Sequence, residues 1–230
     1  MKNGFAILLC LLCFSPTALG QGIWQPLGPW GIKIRSVACD PLASTTLYVG
    51  TDGAGVFRSS DGGAHWAPAS TGLPAGSTVK VLVIDPATTT TLYAATDGSG
   101  VFKSPDSGNT WFAANNGLDP NSDVTALAID PANPAILYAA GTDFSGVFKT
   151  TDRGANWFAA NTGLPEDDIP VLLVDPLQTE TIYAGFDSEG IFKSTDGGAT
   201  WAAAGTGLSL DIVQALAINP KDPSILFAGG

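Results

Sequence analysis

Three features of the sequence predict an all-β fold. One pattern recurs along the chain at steps of 44 to 46 residues. Each copy holds four short runs of aliphatic, aromatic and Thr residues, which suit a pleated, half-buried surface, with Gly, Pro, Asp and Asn between them. No gap is long enough for a helix of ordinary length. Four strands in about 45 residues is the pattern of a β-propeller blade. The expected architecture is a β-propeller with four full four-stranded blades and a partial fifth, over approximately 33–73, 79–118, 124–164, 169–208 and 212–230. A flat β-solenoid would need much shorter turns of sequence.

The third copy shows the elements in order. The run Val124-Thr-Ala-Leu-Ala-Ile reads as strand a and ends at Asp130-Pro131. Ile136-Leu137-Tyr138-Ala139 reads as strand b, and Gly146-Val147-Phe148-Lys149 as strand c. The turn Thr151-Asp152-Arg153-Gly154-Ala155-Asn156 leads to Trp157, where strand d begins, and the copy closes at Gly163-Leu164. The Asp-Pro pair recurs at Asp40, Asp85, Asp130 and Asp175, and as Asn219-Pro220. Tyrosine recurs at Tyr48, Tyr93, Tyr138 and Tyr183, and tryptophan at Trp66, Trp111, Trp157 and Trp201.

Composition narrows the class further. The chain has 230 residues, 10 Lys+Arg against 21 Asp+Glu, and only 13% charged residues beside 28 Gly and 16 Pro. That profile excludes a coiled coil or helical bundle. An apolar fraction of 45% with six Trp opposes disorder, because such a chain can bury a core. A net charge of −11 argues against nucleic acid and anionic membrane surfaces as partners.

Residues 1–20 read as a secretory signal peptide: Lys2 opens it, Phe5 to Phe14 is apolar, Pro16 breaks the run, and Ala18-Leu19-Gly20 supplies the small residues before cleavage. The mature chain, 21–230, is expected outside the cytoplasm, secreted or periplasmic, with no membrane association after cleavage. A lipoprotein signal at Cys10 or Cys13 fits less well, since Leu9 and Leu12 precede them. Cys39 then stays as the one mature cysteine, so no internal disulfide forms and packing must hold the domain. Other copies carry Ile or Val at its place, so a buried small hydrophobe is expected there rather than a nucleophile.

The c–d turn has its own motif. Ser194-Thr-Asp196-Gly-Gly-Ala-Thr200-Trp201 and Ser104-Pro-Asp106-Ser-Gly-Asn-Thr110-Trp111 fit Ser/Thr-x-Asp-x-Gly-x-Thr-Trp. Two copies place His65 and Asn156 at the Thr position. The motif resembles the Asp-box of BNR-repeat β-propellers, which include sialidases, sortilin-type ectodomains, xyloglucanases and photosystem assembly factors. The resemblance covers essentially the whole mature chain and implies fold more than function. Physically, a short Asp accepts backbone N–H groups of its turn, Gly takes a positive φ, and Trp packs between sheets. A structural role is therefore expected for Asp61, Trp66, Asp106, Trp111, Asp152, Trp157, Asp196 and Trp201, not a catalytic one.

A site should break the repeat. Sialidase likeness would imply a Tyr nucleophile with a Glu, an Asp acid and three Arg. All four Tyr share the strand-b position, Arg58 matches Lys103, Lys149 and Lys193, and Arg153 lies inside an Asp-box, which leaves Arg35 alone. The sole His, His65, fills an Asp-box position, so neither a metal centre nor a Ser-His pair is expected. No catalytic residue, cofactor or metal site is predicted.

The b–c and d–a loops emerge on one face, where propellers of this kind usually meet ligands, as the resemblance implies. Asp52, Asp97, Asp143, Asp187 and Glu189 come from b–c loops; Asp119, Asp123, Glu166, Asp167, Asp168 and Asp211 from d–a loops. With no Lys or Arg in those loops, the face is expected to be strongly negative. The plain reading is a solubilising surface. The sharper reading is a site for cations, basic partners or sugars at Glu166, Asp167, Asp168, Asp187 and Glu189, which depart most from the repeat. The opening position of strand a also varies (Arg35, Lys80, Thr125, Pro170, Gln214), which puts Arg35 and Lys80 among the candidate ligand readers at the channel mouth.

The preferred expectation is an exported, non-catalytic binding or scaffold propeller for a protein or carbohydrate ligand. The alternative is a glycoside hydrolase of xyloglucanase or sialidase type, or a fragment of one. It would use two carboxylates about 5–10 Å apart, with Asp123, Asp167, Asp168 and Asp187 as candidates and Phe144 and Phe186 as the exposed aromatics. An assembly factor like the photosystem relatives ranks third, because its partner surface is basic in places. Ile23 to Gly28 resembles a strand d, and Ile225 to Gly230 ends a strand b. An incomplete ring is expected, whose open edges would favour self-association; a closed five-bladed ring is the rival.

Overall fold

The computed structural model describes residues 28–29, 31–119, 121–142, 146–208 and 212–230. The signal-peptide region and residues 23–27 of the strand-d candidate Ile23 to Gly28 lie outside them, as do Asp143, Phe144 and Asp211.

The described chain is all-β, with no helix. Blade 1 comprises β1 (Ile34–Cys39), β2 (Leu47–Thr51), β3 (Val56–Ser59) and β4 (Ala67–Pro68). Blade 2 comprises β5 (Val79–Ile84), β6 (Leu92–Thr96), β7 (Gly100–Ser104) and β8 (Phe112–Ala113). Blade 3 comprises β9 (Val124–Ile129), β10 (Leu137–Gly141), β11 (Val147–Thr150) and β12 (Phe158–Ala159). Blade 4 comprises β13 (Val171–Val174), β14 (Ile182–Gly185), β15 (Ile191–Ser194) and β16 (Ala202–Ala203). A two-stranded sheet, β17 (Ala215–Ile218) with β18 (Leu226–Gly229), follows as the first half of a fifth blade. Each full blade is an antiparallel meander in the order a-b-c-d. The a strands β1, β5, β9, β13 and β17 neighbour one another in turn and form the inner wall.

Strand alternation builds the core between blades. In β10, Leu137 and Ala139 face blade 2 and pack near Tyr93, Ala95 and Val101. Tyr138 and Ala140 face blade 4 and pack near Leu172 and Val174. Because both faces are covered, every residue of β6 and β10 is buried and the strands are largely apolar. Strand d is short. It starts one residue after the Trp, because the Trp N–H is committed to the preceding blade: Trp111 donates to the Thr71 carbonyl at 2.8 Å.

Two expectations about burial need correction. Trp111, Trp157 and Trp201 are buried, but Trp66 is only half-buried, since no full blade precedes it among the described residues. Cys39 is likewise half-buried rather than buried: it closes β1, a strand in which no residue is fully buried.

Candidate functional site

The c–d turns repeat one hydrogen-bond geometry. In blade 4 the Asp196 carboxylate accepts the Ser194 hydroxyl at 2.8 Å, the Thr200 N–H at 2.9 Å and the Thr200 hydroxyl at 2.5 Å. The Ser194 oxygen accepts the Gly198 N–H at 2.9 Å. Asp106 and Thr110 repeat it in blade 2. In blade 3 the Asn156 side-chain amide donates to Asp152 at 2.7 Å, and in blade 1 His65 Nδ1 lies 2.6 Å from Asp61. Asn and His thus supply the same contact as Thr. These donors stabilise the carboxylate form and hold Asp61, Asp152 and Asp196 down at about 2; Asp106 is lowered by the same contacts. A carboxylate bound this way is a turn brace and a poor proton donor near neutral pH.

The turns also join the blades. The Tyr93 hydroxyl and Lys103 ammonium both donate to the Arg153 carbonyl at 3.1 Å, and Tyr138 and Lys149 donate to the Gly197 carbonyl at 3.2 and 2.7 Å. Each cation also lies over its Tyr ring, 5.3–5.8 Å from the centroid in all four blades. Burial pushes the Tyr93 phenol up to about 12 and raises Tyr138 too. These tyrosines pack between blades and tie each to the next. The Arg153 side chain ion-pairs with Asp85, whose carboxylate is fully buried and also caps its own a–b turn through the Ala87 and Thr88 N–H groups.

On the b–c and d–a face, the opening positions of strand a are β-bulges. The register of β1 on β2 shifts between Ile34 and Ser36, of β5 on β6 between Val79 and Val81, and of β9 on β10 at the Ala140/Gly141 end. Arg35, Lys80 and Thr125 are therefore the extra residues, re-aimed out of the ladder. Arg35 donates to Asp52 at 2.7 Å, which also accepts Thr78 at 3.2 Å and lies 3.4 Å from Lys33. The guanidinium holds the Asp52 carboxyl below its ordinary value. Lys80 reaches across to blade 3, where both Asp123 oxygens lie 2.5 Å away, and Thr142 donates to Asp123 at 3.1 Å; Asp97 is 3.6 Å from the same ammonium. Thr125 bonds the Ile169 carbonyl of blade 4 at 3.0 Å.

The uniformly negative face expected from the loops is thus offset over blades 1 to 3 by Lys33, Arg35 and Lys80. The acid-rich sector lies at blade 4. Glu166 and Glu189 are exposed, while Asp167, Asp168 and Asp187 are half-exposed. Asp167 accepts both the N–H and hydroxyl of Ser188 at 2.9 Å, tying the d–a loop to the b–c loop. The Asp187 N–H bonds the Asp168 carbonyl at 3.1 Å, which brings the predicted acids into one loop pair. Phe186 is not an exposed stacking aromatic. It is fully buried, edge-to-face with Phe192 at 5.1 Å, because it continues the inward face of β14. No cluster of three or more His, Cys, Asp or Glu suited to a metal occurs among the described residues.

The bulges and the Arg153–Asp85 pair were not legible in the repeat. The one available signal was a charged residue at a strand-a position where other copies carry Thr, Pro or Gln.

No protein-family model and no curated protein sequence matches the chain. Solved structures do. An ancestral GH74 enzyme superposes with a TM-score of 0.73 at 24% identity, over 91% of this chain and 29% of its own. The GH74 xyloglucanase from Xanthomonas campestris gives 0.69 at 20% identity, over 84% and 34%. The Niastella koreensis GH74 enzyme gives 0.69 at 25% identity, over 86% and 33%. This chain spans about a third of the length of those enzymes, and its described residues share their β-propeller fold.

Proposed function

We propose that this chain is an exported Asp-box-repeat propeller module that binds a protein or carbohydrate ligand on its b–c and d–a face without chemistry of its own. The observation that carries this reading is the state of the candidate acids. Of the four hydrolase candidates, Asp123 is held by Lys80 and Asp167 accepts both the N–H and the hydroxyl of Ser188. A glycoside hydrolase needs one carboxyl able to give up a proton and a second carboxylate free to act as base or nucleophile. Loops braced this way instead present a fixed surface, with Glu166, Asp187 and Glu189 outward at blade 4.

The likeness to GH74 enzymes favours a second reading, in which the chain is part of a polysaccharide-cleaving propeller whose other carboxylate lies elsewhere. A glycan array run beside a hydrolysis screen on β-glucans and xyloglucan separates the two. Binding without product release, weakened at least tenfold in a Glu166→Gln/Asp187→Asn/Glu189→Gln variant, supports the binding module. Release of sugar ends by the wild-type chain supports the hydrolase.

A further inference from the structure

The joint between blades 2 and 3 contains a chemically labile residue pair that its counterparts lack. Trp111, Trp157 and Trp201 donate their backbone N–H groups to the carbonyls of Thr71, Asn116 and Thr162 in the blade before, at 2.8–2.9 Å. Glycine follows each time, and the Trp carbonyl sits against it. A Cβ on Gly72, Gly117 or Gly163 would lie 2.1–2.4 Å from that carbonyl oxygen. Two consecutive residues thus hold each Trp, so the main-chain spacing between them is part of the joint. Thr71, Thr162 and Thr206 precede the glycine in blades 1, 3 and 4, but blade 2 carries Asn116.

An asparagine side chain closes on its own main chain most readily before glycine, which puts no Cβ in the way of the attacking nitrogen. The chain's other Asn-Gly pair, Asn3-Gly4, lies in the predicted signal peptide. Asn116 and Gly117 are both exposed. The Gly117 N–H makes no hydrogen bond among the described residues. The Asn116 amide donates to Asn156 Oδ1 at 2.5 Å, and Asn156 donates in turn to Asp152 at 2.7 Å. Asn116 also borders an open cleft of about 270 Å³ with Lys103 and Arg153, so water reaches it and a negative charge formed there meets cations. Asn109 and Asn121 are exposed too, but Thr110 and Ser122 follow them.

We propose that Asn116–Gly117 is a self-modification site, where the folded chain loses ammonia, forms isoaspartate and undoes the joint between blades 2 and 3. The Gly117 nitrogen gives its proton to hydroxide and bonds to Asn116 Cγ. The Cγ–Nδ2 bond breaks and the amide leaves as ammonia. Water then opens the cyclic imide. Cleavage at Cγ leaves Asp in an unchanged main chain; cleavage at the α-carbonyl reroutes the main chain through Cβ and Cγ. One water enters, one ammonia leaves, and no oxidation state changes. Both products carry a new carboxylate and are about 1 Da heavier. In the rerouted product an extra atom separates the residue 116 Cα from Gly117, and the carbonyl that took the Trp157 N–H is a free carboxylate. The two contacts on Trp157 can no longer be made together.

The test ages the full chain in mildly alkaline buffer at body temperature, with peptide mapping by mass spectrometry and labelling by an isoaspartyl methyltransferase. The peptide holding Asn116 should gain mass at least tenfold faster than those holding Asn109 or Asn121, and should become a methyltransferase substrate. The aged chain should melt about 4 °C or more below the fresh one. Asn116→Thr, the residue of the other blades, should keep its mass and melting temperature. Fresh Asn116→Asp, which gains the charge on an unchanged main chain, should melt well above the aged chain. Mass gain no faster than at Asn109 overturns the proposal. So does an isoaspartyl chain that melts with the fresh one, an Asn116→Thr chain that ages alike, or a fresh Asn116→Asp chain that melts as low as the aged wild type.

Discussion

The Trp157 indole donates to the Ala114 carbonyl at 2.8 Å, joining residues 43 positions apart in adjacent blades. A ring anchored this way contributes both apolar burial and a satisfied donor, so truncation leaves a cavity and an orphaned carbonyl. Trp157→Ala should cost about 3–5 kcal/mol in denaturant unfolding. Trp66→Ala, at a half-buried position, should cost clearly less.

The four aspartate turns predict an acid transition. Asp61, Asp152 and Asp196 sit near 2, below the ordinary 3.8. Groups depressed on folding contribute stability above their unfolded value and lose it as pH falls through the folded one. Melting temperature should therefore fall steeply between about pH 4 and pH 2, and a Asp152→Asn/Asp196→Asn variant should show a shallower dependence there. A flat profile over that window would contradict the assigned hydrogen bonds.

The Lys80–Asp123 pair bridges blades 2 and 3 and is mostly shielded, with side-chain exposures of 24% and 17%. Truncating either partner strands the other in a partly dry site. A double-mutant cycle with Lys80→Ala and Asp123→Ala should give a coupling of about 1–3 kcal/mol. A coupling near zero would free both residues for a ligand-reading role.

Arg153 has φ 62, where its counterparts in blades 1 and 4 are Gly62 and Gly197. Arg153→Gly keeps the turn conformation and removes only the guanidinium that faces the buried Asp85. Chemical denaturation should show a loss of about 1–3 kcal/mol. A stabilised variant would mean that backbone strain outweighs the ion pair.

The fold was legible because its signals are local. Period-two runs, Asp-Pro turns and the Ser/Thr-x-Asp-x-Gly turn each specify a strand or bend within a few residues, and the repeat then states them four times. The face was less legible because its geometry depends on register. Whether Arg35 and Lys80 reach a ligand or a loop acid is decided by a bulge, and a bulge depends on the partner strand. Lys80 meets Asp123 at a separation of 43 residues, and Arg153 meets Asp85 at 68, distances over which sequence pattern carries no signal. Phe186 misled for a related reason: a loop-like Gly-Phe-Asp stretch still continues the buried side of β14.

The central claim is that the acids of this propeller build and brace it, leaving a face that binds without cleaving. Reducing-end release from xyloglucan by the purified full chain tests that most directly. The account predicts release no faster than in buffer, for the wild type and for Asp123→Asn and Asp187→Asn alike. Turnover by the wild type that either substitution abolishes, with melting temperature unchanged, would contradict it.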